Sequence, residues 1–185
     1  MKKILLCSIL LILLNFFFIS CSTRPTYTNL EDIVKNNIPT KEIVILNELE
    51  ERNLVLCSNK SEYLLGIYNY SDGVYDEFKV HSKMNAHEPD IIIQAVYIKG
   101  VGNIVWGSLN SDEHVETFIV EYFNGEIEHI KAYNNTFISY MPESLQNVAS
   151  HKLKTQVLNV SAVNQSAVID QIKTYNIADP VMVMK

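Results

Sequence analysis

The sequence predicts a mainly β fold, an antiparallel β-sandwich or partly open barrel with one short N-terminal helix. Three observations lead there. From residue 43 onward, short apolar or alternating runs recur, separated by turn-forming groups such as Ser58-Asn59-Lys60-Ser61 and Ser71-Asp72-Gly73. Asn124-Gly125 stands between two strand-like runs, and Asn-Gly is the strongest short-range hairpin signal a sequence offers. Near the start, Leu30, Ile33, Val34 and Ile38 recur at helical spacing.

The chain opens on Met1-Lys2-Lys3, a short basic stretch, and continues through an apolar run from Ile4 to Ile19 broken only by Cys7, Ser8 and Asn15. A membrane-crossing helix needs about 20 apolar residues, so this run is short for a span. A basic start, an apolar middle and small residues at its end are the marks of an export signal. Phe18-Ile19-Ser20-Cys21 resembles the lipobox of bacterial lipoproteins, with Phe18 at a position where Leu is usual. The resemblance implies cleavage after Ser20 and a diacylglycerol on the sulfur of Cys21. It also implies a cell-membrane protein held by lipid on the extracytoplasmic face. Two or more acyl chains anchor durably, where one gives marginal binding.

The expected organisation is therefore a signal peptide at 1–20, a lipidated Cys21 with a short tether at 21–28, and a single mainly β extracytoplasmic domain at 29–185. Cys7 leaves with the signal and the Cys21 sulfur is used in a thioether. Cys57 is then the one free thiol, and no intramolecular disulfide can form in the mature chain. Cys57 lies in the apolar run Asn53-Leu54-Val55-Leu56-Cys57 with no adjacent basic residue to lower its pKa. It reads as a small core hydrophobe rather than a nucleophile. Loss of Lys2 and Lys3, with no acidic residue in 1–20, takes the formal charge from −6 to −8. No basic patch marks a nucleic-acid binder.

Within the domain, Thr28-Asn29-Leu30-Glu31 has the form of a capping box and Pro39 closes the helix. Strands are expected at Ile43–Leu46, Leu54–Leu56, Tyr63–Tyr68 and Phe78–Val80, although the Glu and Leu content of 42–53 also suits a helix. Ile91–Ile98 and Ile104–Trp106 flank a turn at Gly100–Asn103. The Asn-Gly hairpin pairs Glu116–Phe123 with Glu126–Tyr133, and a last pair is Thr155–Val163 with Ala167–Tyr175. The stretch from Ile104-Val105-Trp106-Gly107 to Asn124-Gly125 loosely resembles small uncharacterised exported lipoproteins of Gram-positive bacteria, which adds only to the fold reading.

Familiar chemistries are missing from the sequence. Gly100-Val101-Gly102 lacks a third glycine and precedes a strand-like run, so it cannot cradle a pyrophosphate at a helix N-terminus. There is no Gly-x-Ser-x-Gly elbow, Cys-x-x-Cys pair or His-Glu-x-x-His helix. Two constellations are candidates. His81, His87, Glu88 and Asp90 crowd a stretch expected as a loop and carry suitable metal-ligand atoms, although the spacing matches no closed ligand set and Lys83 opposes a cation. A two-residue Asn124-Gly125 loop would pair Glu121 with Glu128 on one face, as a cation site or acid–base couple, and place His129 on the apolar face. Solvated polar side chains explain the His81–Asp90 stretch as well, and solvated carboxylates are the default reading of Glu121 and Glu128.

The tyrosines Tyr63, Tyr68, Tyr70 and Tyr75, with Trp106, could instead supply an aromatic binding surface. The favoured expectation is a lipid-anchored binding or interaction module, not an enzyme, with no cofactor, no catalytic or metal residue assigned, and a protein or cell-envelope partner. The alternatives are an envelope-acting hydrolase or metal-dependent enzyme using Glu121/Glu128 or the His81–Asp90 loop, and a structural or immunity-type lipoprotein.

Overall fold

The computed structural model describes residues 25–40, 42–86, 91–165, 167–173 and 181–182. The expected signal, Cys21, and the trio His87, Glu88 and Asp90 lie outside the described residues. The protein is mainly β, with antiparallel sheets and, among the described residues, one α-helix. No helix among the described residues is long and apolar enough to cross a membrane.

Helix α1 (Leu30–Asn37) is capped by Asn29, whose side chain accepts from the Asp32 amide at 2.8 Å. The expected cap at Thr28 is displaced by one residue. Asn ranks at least level with Thr as an N-cap, and the Asn29 amide also donates to the Asp32 carboxylate at 2.7 Å. Leu30, Ile33 and Val34 are buried, and the backbone turns extended at Ile38, ahead of Pro39.

The first sheet runs in the order β1 (Val44–Leu49), β2 (Leu54–Ser58), β3 (Glu62–Ser71), β4 (Val74–Asn85) and β12 (Val181–Met182). The helical rival for residues 42–53 is confined to one 3₁₀ turn at Glu50–Arg52. A second sheet is β5 (Ile91–Ile98), β6 (Gly102–Leu109) and β9 (Thr136–Tyr140). The third is β11 (Ala167–Lys173), β10 (Val157–Asn164), β7 (Thr117–Tyr122) and β8 (Ile127–Lys131). These are open sheets packed face to face rather than a closed barrel.

Strand alternation sorts the apolar residues into three layers of core. Ile91, Ile93 and Ala95 of β5 meet Phe118, Val120 and Tyr122 of β7. The alternate residues Ile92, Val96 and Ile98 meet Leu54, Leu56 and Leu65 of the first sheet, with Trp106 among them. On the far face of that sheet, α1 covers Val55, Cys57, Leu64 and Phe78. The second sheet is thus buried on both faces, which is why 91–98 reads as a continuous apolar run instead of an alternating one. The buried polar exception within 91–98, Gln94, donates to the Lys83 carbonyl at 3.0 Å and accepts from Ser82.

Strand β9 is an element the sequence reading lacked. Asn134 and Asn135 both have positive φ, 50° and 56°, and Tyr133 and Thr136 exchange both backbone hydrogen bonds across them. That is a two-residue turn of the mirror-image kind. Beyond it, Thr136–Tyr140 pairs with β6.

Candidate functional site

The Asn-Gly hairpin forms, but its register differs from the expected one. A two-residue mirror-image turn needs positive φ at both central residues, and here only Gly125 has it, at 86°. The Gly125 amide donates to the Tyr122 carbonyl, the Tyr122 amide donates to Glu126, and the Phe123 amide is drawn to the Gln156 carbonyl at 2.9 Å. The loop therefore has three residues, and the ladder pairs Glu121 with Ile127 and Val120 with Glu128. A slip of one residue turns every side chain of one strand to the other face.

Three expectations are corrected as a result. Glu121 and Glu128 do not form a like-charged cross-strand pair. Glu121 sits on the outer face and accepts from the Asn159 amide at 3.3 Å. Glu128 sits on the inner face, half-buried, accepting from Tyr122 Oη at 2.7 Å and Ser139 Oγ at 3.3 Å. Burial pushes its carboxyl above the ordinary carboxylate range, against the lowering effect of those two hydrogen bonds. His129, expected at the apolar edge, is exposed on the outer face, and Ile127 is exposed beside it.

The expected His81–Asp90 loop is a strand as far as Asn85. His81 is half-buried in β4. Burial holds its imidazole below the ordinary value, opposed by a hydrogen bond with the Tyr97 backbone. Among the described residues, no group of three His, Cys, Asp or Glu side chains gathers. Cys57 is a free, fully buried thiol, pushed up to about 12 by burial and then by Glu48. Trp106 is fully buried between the first two sheets and offers no surface.

The tyrosines divide. Tyr63 points into the core between the sheets. Tyr68, Tyr70 and Tyr75 converge on the outer face of the first sheet, beside α1. Tyr70 and Tyr75 are direct cross-strand partners, next to the Asp72-Gly73 turn that joins β3 to β4. Their rings lie 4.6 Å apart, and Tyr68 meets Tyr75 edge-on at 5.5 Å. Tyr27 fixes the margin of this face by exchanging two 2.8 Å backbone hydrogen bonds with Tyr75. Tyr70 is 49% exposed.

Two acidic residues that sequence reasoning did not single out complete the cluster. Glu48 of β1 pairs with Val55, which faces α1, so its carboxylate lies on the tyrosine side of the sheet. It accepts from Tyr68 Oη at 2.6 Å. Burial, then Glu48, then the neighbouring Tyr70 and Glu50 push the Tyr75 hydroxyl upward. Glu48 and Glu50 also line a surface cavity of about 400 Å³ with Ile45, Leu46, Asn47 and Tyr133. Strand alternation at Glu48 was the available signal, obscured by the helical alternative for 42–53.

The arrangement combines accessible ring area at Tyr70 with a carboxylate bound to Tyr68, the ingredients of a recognition surface. In comparisons with known proteins, no family model, curated protein or solved structure matches the chain.

Proposed function

We propose that the chain is a membrane-anchored extracytoplasmic lipoprotein that works as a binding module, with Tyr70 and Tyr75, backed by the buried Tyr68, as its contact surface. The observation that carries the binding reading is the convergence of these rings on one side of one sheet, where Tyr68 also donates to Glu48. Tyrosine supplies large contact area at low conformational cost, and aromatic residues dominate interface hot spots.

The anchor reading rests on the Phe18–Cys21 motif and the basic, apolar stretch before it. It also sets where the contact surface works. Five residues separate Cys21 from Tyr27, and six extended steps of roughly 3.3 Å reach at most about 20 Å. Tyr27 is bonded to Tyr75, so the tyrosine face stays near the bilayer and its partner must be reachable there.

The test is site-specific photocrosslinking in cells. A photoreactive residue replaces Tyr70 in one strain and Tyr97, an equally exposed tyrosine on β5, in another. Capture of a discrete partner from position 70 and not from 97, lost when Tyr75→Ala is added, is the expected result. Equal capture from both positions, or none from position 70, overturns the assignment of the face.

A further inference from the structure

We propose that the outer edge of β1 is a strand-pairing surface for a second copy of this chain, held closed in the monomer by the side chains of Asn47 and Asn134. Nothing in this surface depends on the rings of Tyr70 and Tyr75, so the two readings stand or fall separately. β1 is the end strand of the first sheet, with β2 on one side and no ladder partner on the other among the described residues. An end strand offers backbone donors and acceptors to any other chain, and native proteins blunt such edges.

Here side chains do the blunting. Asn134 Nδ2 donates to the Leu46 carbonyl at 2.8 Å, and the Glu48 amide donates to Asn47 Oδ1, also at 2.8 Å. Asn47 Nδ2 reaches on to the Thr136 carbonyl at 3.3 Å, so the two asparagines join β1 to the start of β9 without a ladder. Packing does not seal the edge. Ile45, Leu46, Asn47 and Glu48 all line the cavity of about 400 Å³ that they share with Tyr133. Side chains alternate across a strand, so a cavity touching four residues in succession runs along the edge rather than over one face.

The capped groups fit a copy of themselves. In an antiparallel pair, residues directly opposed in a hydrogen-bonded position exchange N–H and C=O. With Leu46 opposite Glu48 of the other copy, each Glu48 amide meets a Leu46 carbonyl, and two-fold symmetry satisfies both groups of both copies at once. No carboxylate then opposes another, because Glu50 stands across from Val44.

The test compares the full chain in a non-ionic detergent with a variant carrying Asn47→Ala and Asn134→Gly, by sedimentation velocity and by hydrogen exchange of the 44–49 amides. Glycine is chosen at 134 because the turn holds φ at 50° there, which glycine adopts without strain. The wild type should stay monomeric. The double variant should self-associate about tenfold or more tightly than the wild type, as regained hydrogen bonds for two uncapped groups imply. Its Glu48 amide should gain protection as concentration rises. Adding Glu48→Pro removes that donor and should return the folded chain to monomer. If the double variant does not fold, each single variant should show the same concentration-dependent protection in weaker form. A wild type that already pairs through 44–49, a folded double variant that stays monomeric, or a dimer without added protection at 44–49 overturns the proposal. So do single variants that match the wild type where the double variant fails to fold.

Discussion

The phenol of Tyr122 donates to the carboxylate of Glu128 at 2.7 Å, and both side chains lie on the inner face of the β7–β8 hairpin. Tyr122 is 1% exposed, so its hydroxyl has no recourse to water, and burial followed by the Glu128 charge pushes its pKa far up. Glu128 is the acceptor that satisfies it. Tyr122→Phe should therefore cost about 1–3 kcal/mol, the range for a hydrogen bond to a charged group with its partner left half-buried. Equilibrium denaturation of the two proteins measures this directly, and an unchanged midpoint would contradict it.

Glu128→Gln keeps an acceptor for Tyr122 and removes a charge that burial disfavours. At neutral pH the variant should melt at the same temperature as the wild type or higher. The wild-type carboxyl has its folded pKa raised above the ordinary 4.5. The folded state therefore holds the proton more tightly, and wild-type stability falls as pH rises from 4.5 through the raised value. The variant's advantage should shrink as samples are taken from neutral to about pH 5. Melting curves of both proteins at the two pH values decide it, and an advantage that grows on acidification would sink the idea.

Gly107 faces the carbonyl of Ile92 and the ring of Phe137. A Cβ there would lie 2.4 Å from the carbonyl oxygen and 2.8 Å from the ring. The neighbour is backbone inside a sheet covered on both sides, so it cannot give way cheaply. Gly107→Ala should destabilise by about 1–3 kcal/mol or more, as overpacking of a filled core does. Chemical denaturation provides the check, with a wild-type midpoint as the contrary result.

Cys57 should react with a thiol reagent only as fast as the fold opens, because the thiol is buried and raised to about 12. In denaturant it should react at once. Fast labelling of the folded protein would contradict its place beneath α1.

Cys21→Ala should abolish incorporation of a clickable fatty acid and leave the precursor uncleaved after Ser20. Equal labelling of variant and wild type would remove the basis for a lipid anchor.

Much of the fold was legible because short-range chemistry decided it. The Asp72-Gly73 and Asn124-Gly125 turns, the apolar run 91–98 and the face of α1 each carry a local signal. What was not legible depended on distant partners. The register of the Asn-Gly hairpin turns on the Gln156 carbonyl, 33 residues from Phe123, and shifting it exchanged the surroundings of Glu121 and Glu128. Thr136–Tyr140 is short, and its partner is β6 rather than the strand before it. The tyrosines were visible as candidates. Which of them share a face with Glu48 depended on how β1 pairs with β2.

The path of β9 has a kinetic consequence. The chain lays down β7 and β8, crosses to pair Thr136–Tyr140 with β6, and then returns to set β10 beside β7. The wall common to both outer sheets is therefore completed only after most of the chain is available, by contacts between residues far apart in sequence. Topologies dominated by such contacts fold in about milliseconds to seconds, orders of magnitude more slowly than helical bundles of similar stability. Until β9 seats, Ile104 and Trp106 on one side and Val105 on the other lack the neighbours that cover them. Refolding of this protein should be rate-limited by that closure, with substitutions at Phe137 or Ile138 slowing refolding where they share in the barrier and otherwise speeding unfolding.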